Sequence, residues 1–137
     1  MSRVIFASHG GLSKGMKDSV SMIVGDLAKD VETYSLLPGQ NPEDFYQEVL
    51  KEAKESEEQI VILCDIKGGS VHTALSKLAV LDNVMVFSGM NMGLALDAVM
   101  KSLGGNLELA DANDLIKAAK EGMTVMNGMT SEDDEDF

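Results

Sequence analysis

The sequence is poor in residues that cross-link small proteins or anchor them in membranes. Of its 137 residues one is cysteine, two are proline and none is tryptophan. A single cysteine excludes an internal disulfide and fits a reducing cytosol. No apolar run approaches the roughly 20 residues of a membrane-spanning helix. We therefore expect a cytoplasmic protein that is stabilised by an ordinary hydrophobic core.

Basic residues are also scarce. The chain has 11 lysines and arginines against 23 acidic residues, which gives a net charge of −12. Such a surface repels nucleic-acid phosphates, so we expect no nucleic-acid partner. Acidic residues dominate 131–137, which predicts a disordered, solvated tail and argues against a docking segment. The sequence thus predicts one domain over 1–130 followed by this tail.

Short apolar runs alternate with segments of helical periodicity, as is typical of βαβ units around a parallel sheet. We predict an α/β fold with a mostly parallel open sheet flanked by helices on both faces. Strands are expected at 4–7, 31–36, 59–64 and 84–87, with a short last strand at 123–126. Helices are expected after the first strand, from Pro42, from Ser70, from Asn91, and over about 111–120. The first helix should bury Met16, Val20, Ile23, Val24 and Leu27.

Polar residues collect where three of these strands end. The first strand runs into His9, the third into Asp65, and the fourth into Ser88 and Gly89, with Asn91 beginning a helix. Ligands of open parallel sheets bind at the carboxyl ends of the strands. We therefore expect the functional site at this edge.

His9 is the strongest nucleophile of the group near neutral pH. If the first and third strands are neighbours, Asp65 can hold one ring nitrogen and stabilise the cation formed when the other attacks phosphorus. Glycines allow close backbone approach, and N–H groups at a helix N-terminus suit an anion. The predicted phosphoryl-binding residues are Gly10, Gly68, Gly69 and Ser70.

Other side chains leave alternatives open. His72 could be a second phosphoacceptor or partner contact, although a solvent-facing helix residue is the simpler interpretation. Lys67 could contact a phosphoryl group or an acidic partner, or could merely be exposed. Cys64 is expected to be a buried strand residue. Because the sequence lacks phosphate-binding P-loop, dinucleotide and zinc motifs, we expect no cofactor or metal.

Four ordered segments carry a resemblance to a known family. They are Ser8–Met16 (SHGGLSKGM), Leu36–Gly39 (LLPG), Cys64–Ser70 (CDIKGGS) and Phe87–Met92 (FSGMNM). In this order and spacing they resemble the A components (IIA) of the mannose/fructose/sorbose class of the bacterial phosphoenolpyruvate-dependent sugar phosphotransferase system. The resemblance covers residue 1 to about residue 126.

The resemblance implies a phosphotransferase that carries phosphohistidine. His9 matches the phosphorylated position, Asp65 the carboxylate beside it, and Ser70 a serine near the phosphoryl group. The donor would be the phosphocarrier protein HPr and the acceptor the B component of the same system, with membrane components involved indirectly. Family members form homodimers that exchange a C-terminal antiparallel strand, which corresponds here to Met123–Met126.

The chain departs from the family at Lys67, Val71 and Thr73, where an aromatic or large apolar residue, proline and asparagine are usual. These changes bear on partner preference. The chain stops soon after the A domain, so we expect a separate subunit. Two other functions stay open: the phosphotransfer subunit of a dihydroxyacetone kinase and a non-enzymatic module that binds a phosphorylated ligand. The transported sugar is not encoded in these residues.

Overall fold

A computed structural model describes residues 2–128, in which four strands alternate with five α-helices. The strands are β1 (Arg3–His9), β2 (Glu32–Leu36), β3 (Ile60–Cys64) and β4 (Val84–Phe87). The helices are α1 (Leu12–Val24), α2 (Pro42–Glu55), α3 (Ser70–Leu75), α4 (Met92–Leu103) and α5 (Leu109–Glu121). Short 3₁₀ helices, Gly25–Ala28 and Ser76–Val80, extend α1 and α3. The predicted acidic tail, 131–137, lies outside the described residues.

The strands form one parallel sheet in the order β2-β1-β3-β4. β1 and β3 are therefore central neighbours, as a site built from His9 and Asp65 requires. Their register places Ala7 opposite Cys64, and β2 places Leu36 opposite His9. The carboxyl ends of β1, β2 and β3 thus lie at the same end of the sheet.

Each face of the sheet carries its own hydrophobic cluster, because side chains alternate along a strand. Phe6 and Leu63 belong to the cluster that α1, α4 and α5 cover. Ile5 and Ile62 belong to the opposite cluster, under α2 and α3. All four of these side chains are fully buried. The predicted α/β sheet with helices on both faces is confirmed.

Two helix starts predicted from the sequence are confirmed by their caps. The Asn41 side chain accepts a hydrogen bond from the Glu43 N–H at 3.0 Å, and Pro42 occupies the first turn of α2. The Asn91 side chain accepts from the Leu94 N–H at 2.8 Å and begins α4. Asparagine suits both positions because its side chain satisfies an N–H that the helix leaves unpaired.

The predicted buried face of α1 is only partly correct. Val20 is buried and Met16 and Val24 pack against the core, but Ile23 is 64 % and Leu27 50 % exposed. The buried stripe follows the i, i+4 series, and Ile23 lies about 100° away from Val24 around the helix. The chain then tightens into a 3₁₀ helix at Gly25, which turns Leu27 off that stripe.

The short strand predicted at Met123–Met126 is not formed in the single chain. The described residues after α5 have no regular secondary structure, and Val125 is 89 % exposed. A strand needs hydrogen bonds from a neighbouring strand, and this segment pairs with none in the part of the chain that the structure describes. Exchange of the segment between two chains stays a prediction.

Candidate active site

The loop after β3 brings Asp65 to the end of β1. The Asp65 N–H donates to the Ala7 carbonyl at 3.1 Å, which adds one more backbone bond between the strands. At the next position along the pairing of β1 with β3, the His9 N–H donates to Asp65 Oδ2 at 2.8 Å. A carboxylate thus takes the place of a strand carbonyl, which fixes Asp65 against the backbone of His9.

The same carboxylate orients the imidazole. Asp65 Oδ2 lies 2.8 Å from His9 Nδ1, and Ser70 Oγ lies 3.1 Å from Nε2. An ionised carboxylate only accepts hydrogen bonds, so the ring hydrogen resides on Nδ1. Nε2 then carries the lone pair and accepts from the Ser70 hydroxyl. The His9 side chain is 47 % exposed, so this nitrogen belongs to an accessible ring.

Asp65 is held in its ionised form although its side chain is only 7 % exposed. Burial alone would raise the pKa of the carboxyl. Hydrogen bonds from the backbone N–H and ring of His9 and from the Ile66 N–H outweigh burial, so the pKa of Asp65 lies below its ordinary value. Asp65 Oδ1 accepts the Ile66 bond at 2.8 Å. The site therefore holds a fixed negative charge beside the imidazole.

Gly69 packs against the imidazole ring. A Cβ at this position would lie 3.2 Å from His9 Cε1 and 2.7 Å from Ile66 Cγ2. A side chain here would displace the exposed Ile66 side chain and crowd the imidazole. Glycine at 69 therefore lets the loop backbone lie close to the ring, as the sequence predicts for glycine in general terms.

The backbone N–H groups of the three predicted glycines are bonded within the chain. Those of Gly10 and Gly69 donate to the Leu36 and Ile66 carbonyls at 2.8 and 3.2 Å. That of Gly68 donates to His72 Nδ1 at 3.1 Å. As arranged here, these residues shape the loops beside His9, and the Ser70 hydroxyl is the polar group at Nε2 of the ring.

The two candidates for a partner contact, Lys67 and His72, differ in setting. Lys67 is exposed in the loop before Gly68, where the sequence places it. His72 is half-buried in the first turn of α3, and its Nδ1 accepts a hydrogen bond from the loop at Gly68. Thr73 adds a bond from its hydroxyl to the Gly68 carbonyl at 3.3 Å.

Sequence reasoning missed two buried serines that support the loop after His9. Ser8 and Ser13 are fully buried. Ser8 Oγ accepts from the Ser13 N–H at 2.7 Å and donates to the Gly10 carbonyl at 3.3 Å. Ser13 Oγ donates to the Tyr34 carbonyl at 2.8 Å. Ser8 is a polar residue at the end of an otherwise apolar strand, and this position could have indicated a supporting hydrogen bond.

The remaining candidates at this edge have structural roles. Burial and the neighbouring Asp65 charge raise the pKa of Cys64 to about 12, so the thiol stays protonated. Asn91 caps α4, and the Met90 N–H donates to the Cys64 carbonyl at 2.9 Å. Among residues 2–128 no three His, Cys, Asp or Glu side chains are grouped to hold a metal ion.

No helix within the described 127-residue range is long and apolar enough to cross a membrane.

Comparison with known proteins places this arrangement in a family. The family model described as "PTS system fructose IIA component" (EIIA-man) matches residues 3–131. The sorbose-specific EIIA component of the phosphotransferase system of Klebsiella pneumoniae is 34 % identical over 101 residues, which cover 72 % of this chain and 73 % of that protein.

Solved structures of IIA proteins have a similar fold. The mannose/sorbose-specific IIA subunit of Enterococcus faecalis superposes with a TM-score of 0.79 at 21 % identity, covering 94 % of this chain and 97 % of that one, and shows the shared fold. The IIA protein associated with the fucose utilization operon of Streptococcus pneumoniae has a TM-score of 0.71 at 26 % identity, covering 91 % and 96 %. The chain belongs to the EIIA-man family, the mannose-class IIA components of the sugar phosphotransferase system.

Proposed function

We propose that this protein is a cytoplasmic phosphohistidine carrier. It accepts a phosphoryl group from phospho-HPr on His9 and passes it to the B component of a mannose-class sugar transport system. Membership of the EIIA-man family supports the reaction class. The observation that carries the proposal is the His9–Asp65 pair, because it leaves one defined ring nitrogen for chemistry.

The pair selects Nε2 as the attacking atom. The Nδ1–H group is bound to Asp65, so the lone pair on the ring is that of Nε2. A bond forms between Nε2 and phosphorus as the bond between phosphorus and the donor breaks, and that electron pair leaves with the donor. Transfer to the B component repeats the exchange with Nε2 as the leaving group. No proton must leave the imidazole before it attacks.

Attack places positive charge on the imidazole, and Asp65 offsets it. The carboxylate is ionised, largely buried and 2.8 Å from Nδ1, so its charge is poorly screened by water. It needs no reorganisation during the reaction, because the N–H groups of His9 and Ile66 already fix it. Preorganised charge of this kind lowers the barrier most where charge develops.

Ser70 is the first contact for the incoming phosphoryl group. Its hydroxyl donates to Nε2 in the free protein, and a phosphoryl group on Nε2 must take over that position. A rotation of the hydroxyl lets it donate to a phosphoryl oxygen. The Ser70 N–H begins α3 and has no acceptor inside that helix, so it suits the same anion. The exposed ammonium of Lys67 offers charge to the phosphoryl group or to an acidic partner surface.

A labelling experiment tests the carrier function. The protein is incubated with labelled phosphoenolpyruvate, the general phosphotransferase enzyme and HPr, and covalent label is counted at the end point. Wild type should take up one phosphoryl group per chain, and His9→Ala none while remaining folded by circular dichroism. The matched variant His72→Ala should reach the wild-type end point. Labelled His9→Ala, or unlabelled His72→Ala, would overturn the assignment, and a phospholigand-binding module would take no covalent label at all.

A further inference from the structure

We propose that His72 and Thr73 are positioning residues that clamp Gly68 and thereby hold the active-site loop against His9. This inference rests on the proposed carrier function of His9. It assigns to His72 a role toward the chain itself, and not toward a partner or a second phosphoryl group.

Both backbone polar groups of Gly68 are bound by side chains of the first turn of α3. The Gly68 N–H donates to His72 Nδ1 at 3.1 Å, and the Gly68 carbonyl accepts from Thr73 Oγ1 at 3.3 Å. Gly68 has φ +79°, a conformation that other residues rarely adopt. These two side chains hold the exposed loop in this conformation.

The clamp acts next to the chemistry. Gly69 follows Gly68 directly and approaches His9 Cε1 so closely that a Cβ there would lie 3.2 Å away. Ser70 comes next and places its hydroxyl 3.1 Å from Nε2. Movement of Gly68 would therefore shift both the surface that supports the ring and the hydroxyl at the attacking nitrogen. Small displacements of positioned groups cost large factors in rate.

The geometry also defines the chemical state that the clamp requires. A backbone N–H donates to Nδ1, so this nitrogen is unprotonated and the ring hydrogen of His72 resides on Nε2. His72 therefore works as an acceptor of fixed orientation. An asparagine can replace it, since Asn Oδ1 stands the same number of bonds from the backbone as His Nδ1. Leucine matches the size of asparagine but offers no acceptor.

The test compares His72→Asn with His72→Leu, and adds Thr73→Val to remove the hydroxyl alone. Single-turnover transfer from phospho-HPr is measured over a range of donor concentrations. His72→Leu should lower the maximal rate about three- to ten-fold, the loss expected for one hydrogen bond, with little change in half-saturating donor concentration. His72→Asn should recover most of the rate. Thr73→Val should lower the rate by a smaller factor.

A second measurement tests the hydrogen bonds of Gly68 in the absence of phosphoryl transfer. In ¹⁵N–¹H NMR of the free proteins, the Gly68 amide should exchange slowly with solvent in wild type and His72→Asn and faster in His72→Leu. Equal maximal transfer rates for His72→Leu and His72→Asn would overturn the clamp. Unchanged exchange of the Gly68 amide in His72→Leu would also overturn it. A raised half-saturating donor concentration at an unchanged maximal rate would also overturn it, since that result describes a partner contact. A wild type that takes no label overturns the carrier function instead, and the amide exchange still decides the clamp.

Discussion

At the scale of single residues, one carboxylate organises the site. Asp65 accepts hydrogen bonds from the N–H and ring of His9 and from the Ile66 N–H. It thereby fixes the position, tautomer and charge environment of the His9 imidazole together. This convergence explains why the pKa of Asp65 is lowered despite its burial. The same contacts mean that a neutral replacement should slow the proposed phosphoryl transfer more than it disturbs folding.

We predict that Asp65→Asn remains folded but accepts the phosphoryl group from phospho-HPr about 30- to 1000-fold more slowly. The amide keeps an acceptor but loses the charge that offsets the developing imidazolium, and such interactions contribute roughly 2–4 kcal/mol. Single-turnover kinetics measures the rate. Asp82→Asn is the matched control. Asp82 is exposed just before β4, at the amino-terminal ends of the strands and away from His9.

A folded Asp65→Asn that transfers within a factor of about three of wild type would show that Asp65 acts only as a loop or helix cap.

At the scale of elements, the junction between β1 and α1 sets the position of His9. Ser8 bridges the Ser13 N–H and the Gly10 carbonyl, so it closes the turn that follows His9. Gly10 has φ +54°, and its N–H donates to the Leu36 carbonyl of β2. The turn is therefore tied both to the start of α1 and to the neighbouring strand.

We predict that Ser8→Ala lowers the free energy of unfolding by about 1–3 kcal/mol, because the buried Ser13 N–H loses its acceptor. Urea denaturation followed by circular dichroism measures the change. Ser19→Ala, at an exposed position of α1, should stay within about 0.5 kcal/mol of wild type. Equal stabilities of the two variants would contradict a supporting role for Ser8.

The elements themselves were largely predictable, and the contacts between them less so. The continuous apolar run Ile60–Cys64 and the asparagine caps at 41 and 91 carry local signals that indicate strands and helix starts. Neighbouring β1 and β3 could only be assumed, because strand order depends on long-range packing that no local pattern records. The bonds of Gly68 to His72 and Thr73 depend on loop conformation and were equally invisible in the sequence.

At the scale of the whole molecule, the part of the chain that the structure describes ends in an exposed apolar segment. Met123, Val125 and Met126 are 73 %, 89 % and 57 % exposed after α5. Exposed apolar side chains so closely spaced are typical of an interface. Within residues 2–128, β2 and β4 are the edge strands of the sheet, and each has a strand neighbour on one side only. A homodimer in which this segment covers a partner's sheet edge therefore remains our proposal.

We predict that truncation after Gly122 yields monomers or insoluble protein, whereas wild type sediments as a dimer at micromolar concentration. The control is truncation after Gly128, which removes 129–137 and keeps the apolar segment, and it should still sediment as a dimer. Sedimentation velocity gives the oligomeric state. A monomeric wild type would contradict the proposal, as would a soluble dimer of the shorter chain.

We propose that His9 carries the phosphoryl group on Nε2, and NMR of the phosphorylated, ¹⁵N-histidine-labelled protein can identify the atom that is bonded to phosphorus. Coupling between phosphorus and a ring nitrogen identifies the bonded atom, and comparison with His72→Asn assigns the signal to its residue. The hydrogen bond from Nδ1 to Asp65 predicts a bond to Nε2 of His9, with hydrogen retained on Nδ1. Phosphorus bound to Nδ1 of His9, or to either nitrogen of His72, would exclude Nε2 of His9 as the carrier atom.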